Sequence, residues 1–368
     1  MRFVFVMDPL TRVAPDKDTT FAFIKTAQAH GHESFHCLPH DLSISGGAAY
    51  ASVRRVVILD APPYIRLEGE AIAHADPRPM SEGTANADPR PMSEGTANAD
   101  PRPMSEGTAN ADPRPMSTSD GPHRRRLDEV DAIFIRKDPP FDRGYLYATL
   151  MLERARGAAL IVNDPRGLRD ANEKLYAMNF PEWTPRTIVT ADPEEIHAFA
   201  RELGDAVIKP LDGAGGSGVL RLSAGDKNAR AIVDMITGEG RRLAMVQEYL
   251  PAVVEGDKRI LLLDGEPLGA ILRVPRGDDL RSNIHVGGRV VPAELTARER
   301  EMVKALAPRL RADGLAFVGL DVIGERLTEV NVTSPTGIQE LARFIGTDPA
   351  DKVITWVEAR VRARAAES

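Results

Sequence analysis

Between Leu315 and Gly337 the chain reads LAFVGLDVIGERLTEVNVTSPTG, and no other stretch restricts its fold as strongly. Two apolar strands there, read as a hairpin at 315–332, carry a few polar residues that the pattern does not need. Three polar residues interrupt it. Asp321 breaks the first run, while Glu329 and Asn331 stand two apart in the second, so the strand period points both to one face. The turn decides where Asp321 goes: a three-residue loop at Gly324 to Arg326 pairs it with Glu329, and a two-residue loop sends it to the opposite face. We expect the three-residue loop. A polar outer face of an edge strand is the plainer alternative, but Asp and Asn are poor strand formers amid Val, Leu and Ile. Three oxygen-bearing groups on one face suit Mg²⁺, with Mn²⁺ as the substitute ion. Mg²⁺ is a hard cation that favours carboxylates, keeps some waters and takes further ligands from substrate phosphates.

A second feature is KPLDGAGGSG at 209–218, a glycine-rich turn directly after an apolar strand. Gly213, Gly215 and Gly216 let backbone amides approach an anion closely, although an ordinary hairpin turn would use glycines too. The turn is neither a Walker loop nor a dinucleotide fingerprint, since no Gly-Lys-Ser/Thr follows and no helix opens behind it. Lys209 at the strand end, with Lys174 in a preceding helix, would offer two cations to an ATP polyphosphate and base. Arg259, Arg273, Arg281 and Arg289 follow in the β-rich part. A transferring phosphoryl group needs such guanidinium clamps, while any one arginine at a strand end is equally explained by solubility.

The 368 residues carry a formal net charge of −7, which disfavours a nucleic-acid binder. No run of about 18 apolar residues suggests a membrane span, and the apolar start runs into Asp8-Pro9 without a signal-peptide pattern. The single cysteine, Cys37, excludes an intrachain disulfide, fits a reducing, cytoplasmic compartment, and reads as a packed apolar side chain. Strands at 2–7, 130–135 and 159–162 alternate with helices at 18–30 and 145–156, the rhythm of a parallel α/β sheet. From 170 a smaller α+β unit follows, with helix 170–179, strands 205–209, 219–222 and 243–249, and helix 228–237. Strands at 258–263 and 267–273, helix 296–312, the hairpin and a last helix at 350–364 complete the chain. The expected division is 1–169, 170–250 and 251–368.

Inside the first part, ADPRPMSEGTAN occurs three times from Ala75 to Asn110, and a shortened copy runs to Ser117. Each copy holds two prolines and a glycine and no apolar stripe, so a disordered surface insertion at about 74–121 is expected rather than a packed repeat. A partner-binding proline-rich arm is the alternative. The run His123 to Arg126 reads as a solvated charge cluster.

The order of motifs resembles bacterial glutathione synthetases of the ATP-grasp superfamily. MDP at 7–9, KDTTFAF at 17–23, IRKDPPFD at 135–142, NEKL at 172–175 and KPLDGAGG at 209–216 carry the resemblance. So do GDKRILLLDGEP at 256–267, the segment from Arg281 through GGR at 287–289, and FVGLDVIGERLTEVNVTSP at 317–335. It covers nearly all of the chain outside the repeats. What it implies is an ATP-grasp fold with a Rossmann-like N-terminal domain, a small lid and a C-terminal α+β domain. Lys174 and Lys209 would meet phosphate and nucleotide, and Gly213, Gly215 and Gly216 would lie over the phosphates. Gln247, Glu248, Tyr249 and Leu250 would run along the adenine, with Asp257 near the ribose. Asp321, Glu329 and Asn331 would hold Mg²⁺, and Arg259 and Arg273 would grip the phosphoryl group. Arg281 and Asn283 would belong to a loop shielding the intermediate, where His285 stands in place of an expected small residue.

The implied reaction joins γ-glutamylcysteine to glycine through an acyl phosphate, with ATP as cosubstrate. Residues 332–337 would touch glycine's carboxylate, while KDTTF and IRKDPP would shape the dipeptide pocket. Homo-oligomerisation through N-terminal surfaces is also implied. Two rival functions are a ligase for a different amino acid or peptide, and a catalytically silent ATP-binding regulator, which would not need the full cationic clamp.

Overall fold

The computed structural model describes residues 1–69, 122–213, 215–223, 225–275 and 289–367. The repeats, Arg281, Asn283 and His285 lie outside them. Three sheets organise the described chain. The first contains β1 (Arg2–Met7), β2 (Glu33–Cys37), β3 (Leu42–Ser45), β4 (Ala48–Ile58), β5 (Ile65–Leu67), β6 (His123–Arg126), β7 (Ala132–Arg136) and β8 (Leu160–Val162). Its centre, in the order β2-β1-β7-β8, is parallel as the α/β rhythm requires. An antiparallel margin of β3 to β6 was not expected. His123–Arg126 stays at the surface as the solvated-cluster expectation had it, with His123, Arg124 and Arg126 exposed, and it also pairs with β4, where Arg124 and Arg125 lay their guanidinium groups over Tyr50 and Phe35 at 3.9 and 4.3 Å. Planar cations that stack on aromatic faces can occupy a strand without losing solvent.

Helix α1 (Thr19–Ala29) starts where Asp18 accepts a hydrogen bond from the Phe21 amide at 2.7 Å. Asp142 caps α2 (Arg143–Leu152) in the same way. That helix is shorter than the expected 145–156, because its last turn tightens into a 3₁₀ turn at Glu153–Ala155 before Gly157. Next comes α3 (Pro165–Asp170). The helix expected at 170–179 does not form. Asn172 Oδ1 accepts the Lys174 and Leu175 amides at 3.1 Å each, and this local turn replaces helical bonding until a 3₁₀ turn at Tyr176–Asn179.

The second sheet joins β9 (Thr187–Thr190), β10 (Asp205–Pro210), β11 (Leu220–Ser223) and β12 (Ala244–Glu248), antiparallel in the order β11-β10-β12-β9. Helices α4 (Pro193–Leu203) and α5 (Ala229–Thr237) cover one face and bury Ile196 and Val233 against Ile208 and Val246. Strand β9 and α4 escaped the sequence reading, since TIVT is uniformly half-buried and shows no alternation.

The third sheet holds β13 (Asp257–Leu263), β14 (Glu266–Val274), β15 (Arg289–Ala293), β16 (Phe317–Ile323) and β17 (Arg326–Asn331), antiparallel in the order β15-β14-β13-β16-β17. A Thr296/Glu299 capping box opens α6 (Ala297–Ala312), and α7 (Ile338–Ile345) and α8 (Pro349–Glu367) end the chain. Met1–Glu68 and the residues from Pro122 onward form one compact unit, so all three sheets belong to a single body. Cys37 is buried, and burial pushes its thiol up, as a packing role demands. Among the described residues no helix is long and apolar enough to cross a membrane.

Candidate active site

The hairpin corrects the expected turn and preserves its consequence. Ile323 stands opposite Arg326, so only Gly324 and Glu325 form the turn, with φ of 53° and 63°. Positive φ at both positions is what the tight primed turns of hairpins need. A regular ladder from that turn would pair Asp321 with Thr328 and send Glu329 to the other face. A β-bulge prevents this: Val322 pairs with Leu327 and Asp321 with Glu329, leaving Thr328 as the extra residue. The Thr328 hydroxyl donates to the Asp321 carbonyl at 3.1 Å, and its carbonyl accepts from Lys209 Nζ at 3.4 Å. Asn331, opposite Gly319, completes the polar face.

Cations crowd this face. Arg259 on β13 stands opposite Asp321 and binds it twice, through Nε at 2.6 Å and Nη2 at 3.0 Å. Arg273 on β14 reaches Asp321 at 2.9 Å and Asp257 at 2.6 Å through Nη2. Gly319 makes room for this arrangement, since a Cβ there would lie 3.0 Å from Arg259 Cδ. Burial alone would raise the Asp321 carboxyl; the charges and hydrogen bonds of Arg259 and Arg273 outweigh it and hold it below the usual carboxylate range. Asp257 goes the other way, because burial raises it more than Arg273 lowers it. It was expected near a ribose; it lines the cleft with one carboxylate oxygen on Arg273. Lys174 Nζ lies 3.2 Å from Glu329. Burial lowers the Lys209 ammonium, with Glu329 opposing.

The glycine-rich turn closes over this wall. Lys174 Nζ donates to the Gly213 carbonyl, which ties the turn to the segment behind α3. At Gly213 a Cβ would lie 2.9 Å from both Pro210 Cγ and the Ser217 carbonyl, so no other residue fits without displacement. Fifteen candidate residues line one cavity of about 230 Å³: Lys174, Lys209, Gly213, Gly215, Gly216, Gln247, Glu248, Tyr249, Leu250, Asp257, Arg259, Arg273, Asp321, Glu329 and Asn331; Arg289, exposed at the start of β15, does not join them. Its apolar end is built from Val207, Leu220, Leu250 and Ile323. Arg221, missed in the sequence, also lines it and lies over the Tyr249 ring at 4.3 Å.

A second cavity adjoins the first and shares Gly215, Arg259, Arg273, Glu329 and Asn331 with it. Lys17 to Thr20, Arg136, Asp138 and the segment from Thr333 to Gly337 form its other walls, the stretches expected to shape a substrate pocket. Three positioning residues stand here, of which only Arg136, within IRKDPP, lay in a stretch that the sequence reading gave a pocket role. Buried Arg136 donates to Thr20 Oγ1 at 3.1 Å and to the Pro335 carbonyl at 3.0 Å. Glu173 accepts from the amides of Val332 and Thr333 at 2.9 and 3.0 Å. Asn163 bridges both ends of the hairpin, donating to the Phe317 and Val332 carbonyls at 2.9 and 2.8 Å. Each is a polar side chain whose partners are far along the chain, and local sequence patterns do not record such pairings.

An antiparallel lid sheet closing over a cationic cleft, with acidic and amide groups from a hairpin in its wall, defines an ATP-grasp enzyme. Solved ATP-grasp structures share the fold at low identity. D-cycloserine synthetase DcsG superposes with a TM-score of 0.60 at 13% identity over 99% of this chain and 100% of that one. A RimK domain ATP-grasp protein from Sphaerobacter thermophilus gives 0.53 at 16% identity, over 97% and 99%. The prokaryotic glutathione synthetase N-terminal domain model matches residues 1–78 and 84–169, and the ATP-grasp domain model of the same family matches 173–346. The glutathione synthetases of Synechocystis sp. and Brucella melitensis are each 40% identical, over 97% and 96% of this chain and 99% and 97% of theirs. The chain belongs to the prokaryotic glutathione synthetase family, and it is an ATP-dependent carbon–nitrogen ligase of glutathione synthesis.

Proposed function

We propose that the cleft takes ATP with Mg²⁺ and that the adjoining cavity takes γ-glutamylcysteine and glycine, so that phosphoryl transfer occurs at the seam between them. The observation that carries this is the set of residues common to both cavities: Arg259, Arg273, Glu329 and Asn331 face the nucleotide side and the acceptor side at once. Gln247 to Leu250 would run along the adenine, and Lys174, Lys209 and the glycine turn would hold the phosphates. Arg12 and Lys17 suit substrate carboxylates, while Asp18, Asp138 and Glu340 suit an ammonium group.

The donor set fits Mg²⁺. Asp321, Glu329 and Asn331 offer only oxygen to a cation, and Asp321 is held ionised by its arginines. Bound there with ATP, Mg²⁺ would neutralise phosphate charge, and Mn²⁺ would do the same. The chain's own contribution is positioning and water exclusion. Arg259 and Arg273, held by Asp321 and Asp257, present their remaining N–H groups to the transferring phosphoryl group; Arg273 Nε has no partner among the described residues. The cysteinyl carboxylate of the dipeptide attacks the γ-phosphorus and ADP leaves. Glycine's amine then attacks the acyl phosphate, and phosphate departs with its bonding electron pair. Residues 332–337, fixed by Glu173 and Arg136, would orient glycine.

We assign residues 1–169, 170–250 and 251–368 as N-terminal, lid and C-terminal domains, each carrying one sheet. We also take the enzyme to be cytoplasmic and homo-oligomeric, which cell fractionation and sedimentation would check. The assignment of substrates is tested by supplying γ-glutamylcysteine, glycine, ATP and Mg²⁺ and following ADP and product together. ADP release that requires both acceptor substrates is expected; release indifferent to glycine would refute it.

A further inference from the structure

We propose that His30, His32 and Glu358 form a binding site for one divalent transition-metal ion of the Zn²⁺ class, outside the nucleotide cleft, joining α8 to the N-terminal sheet. His30 caps the end of α1, His32 precedes β2, and Glu358 lies in the middle of α8. None of the three lines either substrate cavity. Glu358 Oε1 lies 2.8 Å from His30 Nδ1 and 2.7 Å from His32 Nε2, and one ligand atom from each residue falls within 4.8 Å of the others. Two imidazoles and a carboxylate are the set found around zinc with a position left for water.

His30 sits between two carboxylates, so its ring calls for a positive charge, carried either by a second proton or by a metal ion that takes its place. His30 meets carboxylate oxygens at both nitrogens, Glu358 at Nδ1 and Asp351 Oδ1 at Nε2, 2.9 Å away. A neutral imidazole has one N–H and one lone pair, so one of these contacts would set a lone pair against an anion. A metal at Nδ1 removes that conflict, and the N–H at Nε2 then donates to Asp351. That is the carboxylate–histidine–metal arrangement which fixes ring orientation in metal sites. Arg362 Nη2 holds Glu358 Oε2 at 3.0 Å and leaves Oε1 facing the histidines. The other nitrogen of His32, Nδ1, is 3.3 Å from the Met1 amino nitrogen. Access is open on one side: His30 is 26% exposed, and with Asp351 it lines a separate surface cavity.

The full-length protein, stripped with chelator and saturated with ADP and Mg²⁺ to occupy the cleft, is titrated with Co²⁺. One equivalent per chain should bind with the visible absorption of a low-coordinate site, Zn²⁺ should displace it, and Tm should rise by a few degrees. His32→Ala and His30→Gln should each weaken Co²⁺ binding by about tenfold or more while glutathione formation is kept. Glu329→Ala should bind Co²⁺ as the wild type does. Circular dichroism confirms that the histidine variants are folded. Absence of a stoichiometric Co²⁺ spectrum, or a spectrum lost in Glu329→Ala and kept in both histidine variants, overturns the site. Since ligation activity is read separately, failure here leaves the assignment of the cleft standing.

Discussion

Asp321 and Glu329 face each other across β16 and β17 because Thr328 is left out of the ladder between them. The two-residue turn alone would have separated these carboxylates by the thickness of the sheet. Deleting Thr328 should leave a regular hairpin in which Glu329 still pairs with Asp321, and it takes away the carbonyl that Lys209 Nζ reaches. The expected result is a folded protein that keeps turnover within about tenfold of the wild type, read as coupled ADP and glutathione formation, because the paired carboxylates are preserved. A loss on the order of 10²-fold or more in a folded protein would show that the site needs the bulge itself and not only the pairing it produces.

Gly213 predicts a distinct effect on nucleotide binding. Its added Cβ would press on the Ser217 carbonyl and the Pro210 ring, shifting the turn proposed to hold the phosphates. Gly213→Ala should raise KM for ATP roughly tenfold, equivalent to about 1.4 kcal/mol, with KM for glycine little changed. Steady-state kinetics with each substrate varied in turn separate the two.

Glu173 predicts the reverse pattern. It holds the Val332 and Thr333 amides and the Thr333 hydroxyl, the last at 2.8 Å, beside the second cavity. Glu173→Gln keeps the shape but weakens three charge-assisted bonds. The acceptor segment should loosen, raising KM for glycine several-fold, on the order of 1 kcal/mol, more than KM for ATP. An equal rise for both substrates would argue that Glu173 serves only the general fold.

Acid sensitivity can be placed at the α2–α3 junction. The Arg166 hydrogen bond, at 2.5 Å, and then Arg169 hold the Glu153 carboxyl below its ordinary 4.5, with burial opposing them. A carboxyl depressed on folding contributes stability above its unfolded value and loses that contribution as pH falls through the folded one. Wild type should exceed Glu153→Gln by about 1 kcal/mol or less at neutral pH, since Arg166 is largely exposed, and the gap should close in acid. Thermal unfolding of both proteins across pH 3 to 7 (about the window that matters) measures it.

The residues legible in the sequence were those whose chemistry contradicts their local pattern. Asp321 in an apolar strand and glycines crowded after Lys209 announce themselves because propensity cannot explain them. The parallel centre of the first sheet was legible from alternation. What stayed hidden depends on pairings across the chain. The bulge at Thr328 has no local signature and was replaced by an incorrect turn length that gave the same pairing. Asn172 looked like a helix residue until its side chain was seen to form a turn. Arg136, Glu173 and Asn163 act on residues more than a hundred positions away, and strand β9 offered no periodicity to read.

The central claim is that one hairpin face, with Asp321, Glu329 and Asn331, holds the divalent ion beside the nucleotide. Electron paramagnetic resonance of Mn²⁺ titrated into the protein with ADP addresses it most directly, comparing wild type with Glu329→Ala. The wild type should bind Mn²⁺ in an ADP-dependent manner, and Glu329→Ala should lose most of that binding while remaining folded. Equal ADP-dependent Mn²⁺ binding by the two proteins would contradict the assignment.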